Sequence, residues 1–207
     1  MPNPSAVPSP LLLGFALGLR HALDSDHLVA MATIVSRERS LSRAGLLGAR
    51  WGMGHCLSLF TVGVAVVLLG IPFPESLGHA LELGVGGMLI ALGIASLLRR
   101  HHADPTEAST RTRPSRRPFL VGVAHGLAGS GALAILVLAT IRSPLTGLLY
   151  MGIFGLGSVG GMVAMSAVMS VPFVVAGRRA GAAPVWMGQA AALASVAFGV
   201  YYIAHQA

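Results

Sequence analysis

From Leu11 onward the sequence is a succession of long apolar runs parted by short polar breaks. The runs are Leu11–Val35, Ala44–Leu69, Leu77–Leu98, Phe119–Ile141, Leu145–Val175 and Pro184–Ala204. About 20 consecutive apolar residues are enough for a helix to cross the hydrocarbon of a bilayer. The pattern therefore predicts six transmembrane helices and an all-α integral membrane protein. Four breaks are brief: "SRERSLSR", "GIPFPES", "RSP" and "AGRRAGAA". The fifth, "RRHHADPTEASTRTRPSRRP" (Arg99–Pro118), is long, polar and broken by proline. The chain so divides into a leader (1–10), a first group of three spans (11–98), a linker (99–118) and a second group of three (119–207).

Composition supports the membrane reading. Hydrophobic residues make up 54% of the chain and charged residues 10%, against about 25% charged in a soluble domain. All 14 basic side chains are arginines. A net charge of +7 would suggest nucleic acid in a soluble protein. Here it is an orientation signal read loop by loop, and no nucleic-acid partner is expected. Eleven of the arginines fall in the first break, the long linker and the last break, all on one side of a six-span chain; Arg142 alone falls on the other. Basic loops stay in the cytoplasm. The linker is thus expected inside and both termini outside, with the bilayer of the cytoplasmic (inner) membrane as the lipid partner. The leader "MPNPSAVPSP" has no basic residue and lacks the positive region of a cleaved signal peptide. Cys56 is the single cysteine, which excludes an internal disulfide and any paired-cysteine metal site.

The two halves echo each other. "GLRHAL" (Gly18–Leu23) matches "GVAHGL" (Gly122–Leu127) at an offset of 104, and "WGMGH" (Trp51–His55) matches "FGLGS" (Phe154–Ser158) at 103. The third and sixth spans align less clearly. Three spans per repeat put the second repeat into the membrane upside down. Inverted repeats of this kind characterise secondary transporters, with the binding site near the midplane between them.

The first run carries the chemistry. "GLRHALDSDHLVAM" places Arg20, His21, Asp24, Asp26 and His27 in an otherwise apolar helix. A charge at bilayer depth is costly, so such residues face a cavity or a partner. An Arg20–Asp24 pair would account for two of the five and leave three unexplained. A metal site accounts for more: imidazole suits nickel, cobalt, zinc or copper, and carboxylates orient the rings or complete the ligand set. At 100° per residue, His21, Asp24 and His27 share one helix face and Asp26 lies on another, so either the helix unwinds locally or Asp26 serves a neighbouring helix. His55 in the second span, with Ser58 a turn later, and His125 in the fourth add imidazoles at membrane depth. His79 and Glu82 fall nearer a membrane edge, and His101 and His102 belong to the linker. The candidate metal residues are therefore His21, Asp24, Asp26, His27, His55 and His125.

"RHALDSDHL" holds a histidine, four residues and then Asp-His, and it resembles the H-x4-D-H signature of the nickel/cobalt transporter (NicO/NiCoT) family, including its short urease-accessory, permease-like members. "GMGHCLSLF" resembles that family's second, Gly-His motif, and "HGLAGSGAL" and "FGLGSVGGM" resemble segments of the shorter members. The resemblance implies a permease, not an enzyme, that takes up Ni2+ or Co2+ across the cytoplasmic membrane as cargo and carries no prosthetic group. It also implies that His21, Asp26 and His27 are required for transport and that His55 joins them. Larger members have about two more spans and an acidic third motif absent here, and Cys56 stands where serine or threonine is usual. If Asp26 and both histidines act on one ion, the first helix must be interrupted near Leu23–Asp26, with His55 facing the interruption. Asp24 is then a partner of Arg20 or an outer acceptor.

Two other functions fit part of this pattern. A metal exporter of the same fold would use the same residues in the opposite direction. A membrane-embedded metal hydrolase would use histidine ligands and an aspartate to activate water, but it needs a further acid or base. Glu75 and Glu82 sit in no recognisable motif, and there is no HExxH. The sequence leaves oligomeric state open.

Overall fold

A computed structural model of the protein describes residues 10–69, 75–98, 116–127, 141, 143–177 and 183–206, and every regular element among them is a helix. In chain order these are α1 (Pro10–His21), α2 (Ser25–Val35), α3 (Leu41–Leu69), α4 (Glu75–Leu98), α5 (Arg117–Leu127), α6 (Pro144–Gly177) and α7 (Ala183–Gln206). Their glycine content would weaken helices in water. In lipid no water competes for the backbone, so an apolar segment must satisfy its own N–H and C=O groups and becomes helical. Three stretches are long and apolar enough to cross a membrane among the described residues: Gly78–Leu98, Pro144–Gly177 and Val185–His205. The outer surface is apolar as well, with Leu12, Leu120, Leu145, Leu156, Val168, Trp186 and Leu193 exposed. Most of the leader, linker residues 99–115 with His101 and His102, and residues 128–140 of the fourth run lie outside the described residues.

The first apolar run is two helices. α1 has 12 residues and α2 has 11, so each rises about 17 Å, roughly half a bilayer. The other helices begin and end within a few residues of the runs that predict them, except that α5 is described only to Leu127.

Packing follows glycines, and it follows them reciprocally. α1 lies on α6, where a side chain at Gly18 would strike the Phe154 carbonyl and the Ser158 amide, and one at Gly157 would strike the Phe15 carbonyl. α5 lies on α3 in the same manner: Gly122 abuts the Trp51 carbonyl and His55 amide, and Gly54 abuts the Phe119 carbonyl. Each contact in one pair maps onto one in the other by the offsets of 103 and 104. The α3–α6 crossing maps onto itself, with Gly52 near Val159 and Gly155 near Cys56. α4 and α7 pack through Gly86 against Gly199 and Gly93 against Ala192, and these four positions exchange at an offset of 106. Ser195 Oγ donates to the Leu89 carbonyl at 2.8 Å at the centre of that pair. Close backbone approach through small residues is how apolar helices gain contact in lipid. α2 is held against α7, with Thr33 Oγ1 donating to the Ala191 carbonyl at 3.2 Å. The largest buried cluster among the described residues joins Met31 and Val35 of α2 to Trp51 of α3, Leu89 of α4 and Met162 of α6.

Candidate metal centre

The site forms where α1 gives way to α2. The chain leaves the helix at Ala22 and Leu23 without glycine or proline, so side chains must replace the lost helical bonds. The carbonyl of His21, at the end of α1, accepts from the Asp24 amide at 3.1 Å and from His27 Nδ1 at 2.7 Å. Asp24 is extended (φ −61°, ψ 144°) and stands at the N-cap of α2, but it makes no side-chain cap. Its carboxylate instead accepts from His21 Nδ1 at 2.9 Å. The side chain that meets an orphaned backbone group is His27, on the His21 carbonyl, and a helix end buried in lipid is tolerated only when its orphan groups find such partners.

The interruption turns Asp26 and His27 inward together. His27, fully buried, is the hub: its ring centroid lies 4.6 Å from that of His21, 4.9 Å from His55, 4.6 Å from His125 and 5.1 Å from Trp51. His21 Nε2 and His55 Nε2 are 2.9 Å apart. His125 Nε2 donates to Asp26 Oδ2 at 2.8 Å. α3 supplies His55 and α5 supplies His125, so three separate parts of the chain meet here. Two sets of three ligand atoms result, His21–His27–His55 and Asp26–His27–His125, the atoms of each within 4.8 Å of one another.

The hydrogen bonds fix which nitrogens carry lone pairs. His21 Nδ1 faces a carboxylate and must hold a proton, so in the neutral ring its Nε2 accepts from His55 Nε2–H. His27 Nδ1–H donates to a carbonyl, which puts its lone pair on Nε2. His125 Nε2–H donates to Asp26, which puts its lone pair on Nδ1. A ring whose distal nitrogen is anchored to a carboxylate or carbonyl is oriented and made more basic as a metal ligand. Two buried lone pairs, His55 Nδ1 and His125 Nδ1, have no hydrogen-bond partner, nor does the buried Trp51 Nε1–H beside them. Leaving such groups unmatched costs about 1–3 kcal/mol each. A cation at the cluster would engage the lone pairs.

Each candidate residue can now be placed. His21, Asp26, His27, His55 and His125 come together in the buried cluster. Asp24 belongs to neither ligand set and holds His21 in place; it does not pair with Arg20, which is exposed. The helix is interrupted at Ala22–Asp24, at the start of the expected stretch, and His55 faces it. His79 and Glu82 are not part of the cluster. The Asp26–His125 bond, spanning 99 positions, and the proximity of Trp51 had no local sequence signal. The repeat alignment, which sets His125 opposite His21, is the clue that could have suggested the first.

No protein-family model matches the sequence, and no solved structure matches it. The chain is 32% identical over 205 aligned residues to the urease accessory protein UreH of Bacillus sp. (strain TB-90), an alignment that covers 93% of this chain and 90% of that one. With that identity over nearly the full length of both proteins, this helical membrane chain belongs to the UreH family of urease accessory proteins.

Proposed function

We propose that the protein is a secondary permease that carries Ni2+ or Co2+ into the cell across the cytoplasmic membrane, through the His/Asp cluster. The observation that carries this reading is the convergence of four histidines and Asp26 at a helix interruption, buried between elements from both halves. Imidazole with a carboxylate suits late first-row divalent metals. A discontinuous helix at the binding site is the transporter arrangement. The relative's name refers to urease, a nickel enzyme, and so favours nickel over cobalt. A metal hydrolase would need a further acid or base beside the ion, and among the described residues Asp26 is the one buried carboxylate of the cluster.

The reciprocal glycine contacts support two inverted repeats, with α1, α3 and α4 exchanging with α5, α6 and α7. The first helix of each repeat packs on the second helix of the other. Transport then proceeds by rocking of the two repeats around the ion, with six spans, both termini outside and the linker inside as the arginines indicate.

The test is accumulation of radioactive nickel in cells that lack their own uptake system. Expression should raise cell-associated nickel, and excess unlabelled Ni2+ or Co2+ should suppress the signal while Mg2+ should not. A fall in cellular nickel on expression would instead identify an exporter.

A further inference from the structure

The two ligand sets share one member, His27, and they differ in chemistry. His21–His27–His55 offers three nitrogens; Asp26–His27–His125 offers two nitrogens and a carboxylate oxygen. They hold one cation at a time, since His27 has its Nδ1–H on the His21 carbonyl and offers a single nitrogen to both sets. Each set alone leaves open coordination positions on a metal that takes four or more ligands. A transported ion must be held firmly enough to enter and loosely enough to leave, and several weaker sites achieve this better than one deep one.

Both sets are buried; what orders them is Asp24, which is bonded to a member of one. Asp24, bonded to His21, has 42% of its side chain exposed, whereas His125 is fully buried and Asp26 nearly so. A half-exposed carboxylate at membrane depth marks a polar entrance. The all-histidine set is therefore the one next to the entrance, and the Asp26 set is the inner one. The proposed repeats give the same division a second basis: His21 ends α1 and His125 lies near the described end of α5, the helix that exchanges with α1.

Resting on the permease reading above, we propose that the ion crosses by ligand exchange about His27. It enters past Asp24 into the His21–His27–His55 set and passes to the Asp26–His27–His125 set without leaving His27. The exchange replaces two neutral imidazoles with one imidazole and one carboxylate, so the ion's charge is better offset in the inner set. His125 gives up its Nε2–H bond to Asp26 as the carboxylate turns to the metal.

The test uses the full-length protein in detergent with Co2+ alone as the probe, because visible absorption by bound Co2+ reports its ligand set. The wild type should bind one Co2+ per chain. His125→Ala leaves the entrance set and His55→Ala leaves the inner set. Each should still bind one Co2+ within about tenfold of wild type, with a different spectrum in each variant, and neither should support uptake in cells. His27→Ala, common to both, should weaken binding by more than about a hundredfold, beyond the loss seen on removing an outer partner. If His55→Ala or His125→Ala does not purify as a monodisperse protein, the Gln variant takes its place. Equal, hundredfold losses in all three variants, or one spectrum shared by His55→Ala and His125→Ala, would overturn the exchange and indicate a single centre. Failure of the wild type to bind Co2+ or Ni2+ at all would instead remove the permease reading itself.

Discussion

Asp24 and Asp26 stand two residues apart and do different work. Asp24 holds His21 by a 2.9 Å bond at the rim; Asp26 sits inside, against His125. Asparagine at 24 keeps an oxygen that can accept from His21 Nδ1–H, so the ring stays oriented. Asparagine at 26 removes the one negative charge in the buried cluster, where a divalent cation most needs it. Asp24→Asn should reduce nickel uptake by about 10–100-fold, the range for an outer partner of a ligand, and Asp26→Asn should abolish it, with both proteins present in the membrane at wild-type level. The reverse order in an uptake assay would mean that Asp24, not Asp26, touches the ion. On a regular helix these roles would be inverted, because Asp24 is the one that shares a face with His21 and His27.

That inversion belongs to the helix interruption, whose own signature is testable. Ser25 is the first residue of α2 and follows an extended Asp24. Proline is favoured at the first position of a helix, where its missing N–H is not needed, and it prefers an extended residue before it. Ser25→Pro should therefore leave thermal stability in detergent within about 0.5 kcal/mol and retain uptake. In a continuous helix the same change would cost about 3 kcal/mol, so a large drop in melting temperature would contradict the interruption. The break was legible in the sequence only through a conflict between helical geometry and a motif that needs Asp26 and both histidines on one ion. No glycine or proline announces it, because the atoms that sustain it are the His21 carbonyl, the Asp24 carboxylate and His27 Nδ1. The helices themselves were legible, since twenty apolar residues leave the backbone little choice. Asp24's partner was not: a charge pair with Arg20 at i,i+4 satisfies helical spacing as well as a bond to His21 at i,i+3 does. The α4–α7 pairing was also hidden, because its reciprocal positions are glycines and alanines that recur throughout the chain, at a slightly different offset from the other spans.

Across the whole molecule, each half lends its first helix to the other. The face of α1 that carries Gly14 and Gly18 is covered by α6 through Tyr150 and Phe154, more than a hundred residues downstream, and α5 returns to α3. This has a consequence for biogenesis. At ribosomal speeds of about 5–20 residues per second, α1 waits on the order of ten seconds in the membrane before its partner is made. During that interval a half-length helix with an arginine, two histidines and two aspartates at or beyond its end has no protein surface to shield it. The nascent chain is then exposed to membrane quality control, and the first half is expected not to fold by itself. Fragments 1–110 and 111–207, each expressed alone, should be degraded within minutes in a pulse-chase experiment. Produced together in one cell they should protect each other and restore nickel uptake, because the glycine contacts that interlock the halves lie in helices on either side of the cut. A first fragment that persisted alone at full-length abundance would show that α1 finds adequate cover within its own half.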